Sequence, residues 1–262
     1  MDAIAGKKKE IRPYRTNLIN ETGNMNCPPA GEGAATEEGL EGCKMKYEQY
    51  FPIWGKLTKE QQEKILSVSQ FSTVKAGTVL HDGSPECMGL ILVCSGQLRA
   101  YMLSDEGREI TISRFFDMDI CLFSASCVMP DMQFDIFIAA EKDCDLWIIP
   151  ACLYKNLMDE SLPVATYSCH LICNHFSELT WLMEQVMWKK FDERLAEFLI
   201  EESRLENSNS IMMTHDRIAN HMGTAREVVT RMLRYFQSEG MINVTRGAVE
   251  IVNPKKLAQL CE

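Results

Sequence analysis

The spacing of residues between Leu162 and Met187 constrains this chain more than any other feature. Leu162, Thr166, Cys169, Cys173, Phe176, Thr180, Met183 and Met187 succeed one another at alternating intervals of four and three residues. That heptad period fits one face of a helix and neither a strand nor a loop. At the rise of an α-helix the seam is ~38 Å long. A second stripe, Ala165, Ile172, Leu179 and Val186, repeats every seven residues on an adjacent face. One stripe can lie on the chain's own core and the other on a second copy, which makes residues 161–188 a parallel dimerisation helix. A purely intramolecular core helix is the alternative. Thr and Cys are weak seam residues, so the register carries this reading more than the burial energy does.

Residues 69–150 follow a different pattern. Glycines at 77, 83, 89, 96 and 107 punctuate short β-rich runs. Residues 88–94 are almost continuously apolar, Ser95-Gly96 turns, and residues 97–103 alternate. Asp105-Glu106-Gly107 is a second hairpin signal before a strand over 109–115. With runs at 136–140 and 146–149, at least six short strands predict a sandwich, barrel or jelly roll. Upstream, Thr58 with Gln61 three residues on forms a capping box for a short helix over 58–68. Residues 1–44, with Pro28-Pro29 and a Gly/Ala-rich stretch, show no hydrophobic period and read as a disordered extension. The β-rich unit then occupies 45–160.

Residues 189–206 predict an amphipathic helix continuing from the long one, with Leu195, Phe198, Leu199 and Leu205 apolar, and residues 207–210 a turn. Thr214 caps a short helix with Ile218, Ala219 and Met222 inward, Gly223 breaks it, and Thr224 opens a second helix running to Ser238. Val228, Val229, Met232, Leu233 and Phe236 form the apolar face of that second helix. Helix, glycine turn and helix make a helix-turn-helix, whose second helix reads the major groove. Residues 241–245 and 248–252 around Arg246-Gly247 predict a hairpin, or wing, so 189–262 form a winged helix-turn-helix unit.

Local charge agrees. Arg217, Arg226, Arg231 and Arg234 stand against Asp216 and Glu227, a local +2 (four minus two) in a chain of net charge −10. Arg226, Glu227, Thr230 and Arg231 share the polar side of the second helix. Arg pairs with guanine and Glu accepts from cytosine. The hydroxyls and amides of Thr214 and Thr224, at helix N-termini, suit phosphate. The alternative for the second helix alone is a solvated face with Glu227 paired to Arg231.

The string Thr214-His215-Asp216-Arg217-Ile218-Ala219-Asn220-His221-Met222-Gly223-Thr224-Ala225-Arg226-Glu227-Val228-Val229-Thr230-Arg231-Met232-Leu233, followed by Ser238-Glu239-Gly240-Met241-Ile242, resembles the CRP/FNR family of bacterial transcription regulators. The β-rich segment, the long helix and the helix-turn-helix also come in that family's order, so the resemblance covers roughly residues 46–260. It implies an α+β fold: an N-terminal jelly roll like cyclic-nucleotide-binding domains, a long dimerisation helix and a C-terminal winged helix-turn-helix. It further implies a homodimer on palindromic double-stranded DNA, with RNA polymerase as a partner. Carried over singly, Arg226 would meet a phosphate or guanine, Glu227 a base edge, most often cytosine, and Arg231 guanine.

The sensor region departs from the family's cyclic-nucleotide pattern. No Arg lies between Phe115 and Ile149, and Asp119 and Asp135 would repel a cyclic phosphate, so cyclic AMP is rejected. No Cys-x-x-Cys occurs anywhere, which leaves an iron–sulfur cluster unsupported. Cys121, Phe123, Ser124 and Cys127 read as one wall of an apolar, sulfur-rich effector pocket. Cys169 and Cys173, at i,i+4 on the seam, could bind metal or oxidise across a twofold axis. His170 could ligate haem or metal. The plainer reading makes the cysteines filler, leaves His170 and His175 partly exposed, and assigns no metal site. The effector is an unidentified small ligand or a thiol-based redox cue.

Composition sets outer bounds. A chain of 262 residues suggests about two domains. Its net charge of −10 excludes nucleic-acid binding through overall charge, so only a local patch can serve. Eleven cysteines without a signal-peptide pattern read as reduced thiols in a cytoplasm. No run of about 18 apolar residues predicts a membrane span. His81 is the sole His between Met45 and Asp159, too few for a metal-dependent jelly-roll enzyme, so no catalysis is expected. A β-roll ligand-binding protein whose C-terminal domain mediates protein contacts is the competing function.

Overall fold

The computed structural model describes residues 47–83, 88–128 and 135–261. Helix α1 (Tyr47–Tyr50) and α2 (Lys59–Val68) lead into strands β1 (Gln70–Val74), β2 (Val79–Asp82), β3 (Leu90–Ser95), β4 (Leu98–Leu103), β5 (Glu109–Phe115), β6 (Ile120–Cys121), β7 (Phe137–Ala140) and β8 (Cys144–Ile149). The strands form two four-stranded antiparallel sheets, ordered β1-β8-β3-β6 and β2-β7-β4-β5. The capping box at Thr58 and Gln61 forms as expected, each side chain bonding the other's backbone N–H.

The continuous apolar run in β3 has a clear cause. Ile91 and Val93 face the sandwich interior with Leu98, Phe115, Ile138 and Leu146. Leu90 and Leu92 face the opposite way, into a second core with Trp54, Trp147, Leu153 and Val164. A strand buried on both faces loses its alternation. Gly96 is required at its turn: φ is 97°, and an added Cβ would lie 2.2 Å from the Asp143 carbonyl oxygen.

Helix α3 (Ala151–Glu160), which the sequence reading did not separate from the β unit, closes that second core and leads into α4 (Leu162–Trp188). All eight seam residues of α4 are solvent-exposed. Leu162 is 79% exposed, Phe176 70%, Met183 61% and Met187 64%, high values for large apolar side chains. The face turned to the β unit centres on Val164, Ser168, His175 and Gln185, and Ile172 of the second stripe packs beside them on the core. Ser168 Oγ lies 2.6 Å from Tyr154 Oη. His175 is therefore buried, not partly exposed. Its ring lies 4.4 Å from that of Phe123, and its Nδ1 is 3.3 Å from Glu178, which also accepts from Ser113 Oγ at 3.0 Å. Polar residues hide the inner face from a hydrophobic-period reading.

The long helix does not run on into the next. Lys189 is extended, and α5 (Phe191–Leu205) starts after Lys190. The assumed turn at 207–210 is partly a strand: β9 (Ser210–Ile211) pairs with the wing. Among the described residues, Cys121, Cys144, Cys169 and Cys173 carry thiols, whereas Cys152 is disulfide-bonded, which corrects the reading of uniformly reduced cysteines. The expectation for residues 1–44 lies outside the described residues. No described helix is long and apolar enough to cross a membrane.

Candidate nucleic-acid interface

The C-terminal unit builds a helix-turn-helix from local rules. Thr214 caps α6 (His215–Met222), its Oγ1 accepting from Arg217 N at 3.2 Å. Gly223 ends α6 in the left-handed region, φ 66° and ψ 34°, and Thr224 N donates back to Ala219 O. Helix α7 (Arg226–Ser238) is entered through Ala225, so Thr224 stands just outside it and does not cap it. Ile218, Ala219, Met222, Val229, Leu233 and Phe236 bury against Leu195 and Leu199 of α5. Strands β10 (Ile242–Thr245) and β11 (Ala248–Ile251) form the wing, with β9 completing a three-stranded sheet. Helix α8 (Pro254–Ala258) closes the core through Leu257.

The outward face of α7 carries Arg226, Glu227, Arg231 and Arg234, all exposed. Arg226 Nε lies 3.6 Å from Asp216, which restrains it toward α6. Thr230 turns inward instead, its Oγ1 2.9 Å from His215 Nδ1. Burial, then the nearby Arg226, lowers the pKa of that histidine. Thr230 thus ties the two helices together.

The effector-wall residues sit elsewhere. Cys121, Phe123 and Ser124 are buried in the β-domain core, with Ser124 Oγ 2.6 Å from Gly89 O. Burial pushes the Cys121 thiol up to about 12, which removes its thiolate reactivity. The Cys127 side chain lies outside the described residues. Asp117 and Asp119 accept from Gly96 N and Phe116 N, both at 2.8 Å, so they cap turns. Cys169 and Cys173 are exposed, and Cys169 raises the Cys173 thiol. His170 is exposed nearby. Among the described residues no three His, Cys, Asp or Glu side chains converge as a metal site.

Sequence reading missed a buried polar junction behind the helix-turn-helix. Arg114 on β5 bonds Glu202 of α5, and its Nε lies 3.4 Å from Glu141. His221 of α6 sets Nε2 3.2 Å from Glu141 and Nδ1 2.9 Å from Thr111 Oγ1 and 3.0 Å from Arg114. Arginine only donates, so His221 Nδ1 accepts and Nε2 carries the proton given to Glu141. Burial raises the Glu141 carboxyl, but the His221 hydrogen bond and the Arg114 charge outweigh it and hold it at about 2. Burial holds His221 at about 4. Burial also raises Glu202, against the pull of Arg114. The available signal was a charge inside an apolar stripe: Glu202 follows Leu195 and Leu199 on the buried face of α5.

Comparison with known proteins decides the family. Residues 193–260 match the model of the Crp-like helix-turn-helix domain. A crystal structure from Eubacterium rectale, described as a transcriptional regulator of the CRP/FNR family, is 53% identical, with a TM-score of 0.80 over 82% of this chain and 99% of that one. The chain belongs to the CRP/FNR family. Among curated members, the anaerobic regulatory protein of Aggregatibacter actinomycetemcomitans is 23% identical over 71% of this chain and 74% of its own length. This CRP/FNR-family chain also shares its fold with the c-di-GMP responsive regulator CLP of Xanthomonas campestris, at a TM-score of 0.62 and 17% identity over 74% of this chain and 99% of that one.

Proposed function

We propose that this protein is a dimeric, sequence-specific DNA-binding transcription regulator, with a β-domain that responds to a small ligand or redox signal other than cyclic AMP. The observation that carries the reading is the α7 face: Arg226, Glu227 and Arg231 stand exposed on a helix whose opposite face is locked into the core. Thr214 presents the N-terminus of α6 for phosphate, and Arg231 and Glu227 supply base-edge chemistry. The exposed seam of α4 supports pairing with a second copy, which places two reading helices for two half-sites. Transcriptional output would run through RNA polymerase, as the family relationship implies. The test titrates reduced and oxidised protein against a palindromic duplex library and a scrambled control at two salt concentrations. Enrichment of a palindrome with half-sites about one helical turn apart is expected. Weak binding that is unselective and erased by salt would refute it.

A further inference from the structure

A cavity of about 330 Å³ lies behind the helix-turn-helix, walled by β5, α4, α5 and the end of α6. Its apolar lining includes Ile110, Ile112, Phe116, Trp181, Leu182 and Phe198. The volume is at the small end of the range for ligand pockets, and an apolar lining with few polar groups is their usual character.

The charges on this wall are compensated with one exception among the cations. Arg114 is held by Glu202 and Glu141, Glu178 by His175 and Ser113, and Glu197 by Lys189. Glu201 is exposed to solvent. Arg194 is half-buried, and its guanidinium donates to the Met222 carbonyl oxygen at 2.8 Å. It lies 6.0 Å from the Phe191 ring and has no carboxylate within ion-pair reach among the described residues. Loss of water lowers its pKa, as expected for a cation without a counter-charge. A desolvated guanidinium beside an apolar cavity is a ready partner for a carboxylate, whose two oxygens match its fork.

We propose that this cavity is an effector site for a small amphipathic carboxylate, with the carboxylate on Arg194 and the apolar body among Ile112, Trp181, Leu182 and Phe198. An occupant touches the sensor sheet, the long helix, α5 and the end of α6, the helix that leads through Gly223 into the DNA-reading helix α7. Its binding favours the docked arrangement by its differential affinity for that state. This regulatory consequence rests on the regulator reading; the binding site does not.

The test uses the full chain without DNA. Isothermal titration compares sodium octanoate with octanamide, which has the same body and no charge. One octanoate per chain, bound at least tenfold more tightly than octanamide, is expected. Arg194→Gln should bring the two within twofold. Leu182→Trp, which fills the cavity, should abolish both while leaving a cooperative unfolding transition. Equal affinity for acid and amide in the unmodified protein, or no binding of either, overturns the proposal. Octanoate binding that survives Leu182→Trp also overturns it. Octanoate binding by a protein that selects no duplex would sink the regulator reading and leave the site standing.

Discussion

Replacing Gly223 with alanine probes the docking of the helix-turn-helix on the β-domain. Gly223 holds φ at 66°, and a Cβ there would lie 2.9 Å from Ile110 Cδ1, 3.1 Å from Cγ1 and 3.2 Å from Cβ. Two costs follow, and they separate. The left-handed backbone penalises any side chain by roughly 1–2 kcal/mol, wherever the unit sits. Overpacking against Ile110 adds roughly 1 kcal/mol, the low end of its usual range, because Cδ1 can swing away and Cβ cannot. Gly223→Ala should therefore lower stability in urea by about 2–3 kcal/mol at fixed protein concentration. Adding Ile110→Gly removes Cβ with the rest of that side chain, and with it the second cost, so a double-mutant cycle should return a coupling of about 1 kcal/mol. The bridge between Ile110 and Met222 joins the same two elements and predicts the same sign. Coupling within about 0.5 kcal/mol of zero, the usual scatter for independent sites, would refute docking at this contact.

The junction should make the fold acid-sensitive. The ordinary His value of 6.5 applies to the unfolded chain and about 4 to docked His221, so stability is full above pH 6.5 and falls as pH drops toward 4. Glu141, held at about 2 against an ordinary 4.5, adds a loss between those values. Glu202, raised by burial, works in the opposite sense, and its contribution is lost as pH rises. Urea midpoints across pH should show the net acid loss, and His221→Gln should flatten its upper part, leaving the smaller share of His215, which is also lowered. Phe176→Glu, at a seam position 70% exposed in the single chain, should shift sedimentation toward monomer without lowering the helix content seen by circular dichroism. Arg231→Ala should weaken a cognate duplex by about 1–3 kcal/mol and relax one base position; equal losses on scrambled DNA would mark a phosphate contact instead.

The elements written in hydrophobic period are legible in the sequence: the long helix α4, the glycine-broken pair α6 and α7, and the hairpin strands. The inner face of α4 is not, because Ser168, His175 and Gln185 are polar and gain their burial only from partners distant in sequence, such as Tyr154 and Ser113. Helical spacing groups Thr230 with the DNA-facing residues, since spacing gives direction but not the side chain's choice of partner, here His215. Sulfur-rich composition points to a pocket wall at Cys121, Phe123, Ser124 and Cys127, yet Cys121 and Phe123 fill the core between the sheets. The Arg114, Glu141, Glu202 and His221 junction draws on four elements, and no local pattern could assemble it.

The buried contacts of α4 have a geometric consequence. The Ser168 bond to Tyr154 and the His175, Glu178 and Ser113 chain fix the helix in rotation about its own axis. Neighbouring residues on a helix are about 100° apart, so a slip by one position would swing the exposed seam a quarter-turn or more. Two copies joined along that seam would hold their α7 helices at a separation inherited from this angle, while DNA repeats its grooves on a pitch of ~34 Å. Each β-domain would then act as the pivot of a pair of calipers. A few hydroxyls and one imidazole would set the opening between the two points, so a disturbance at Ser113 or Tyr154 would be felt as a change in which operator length fits.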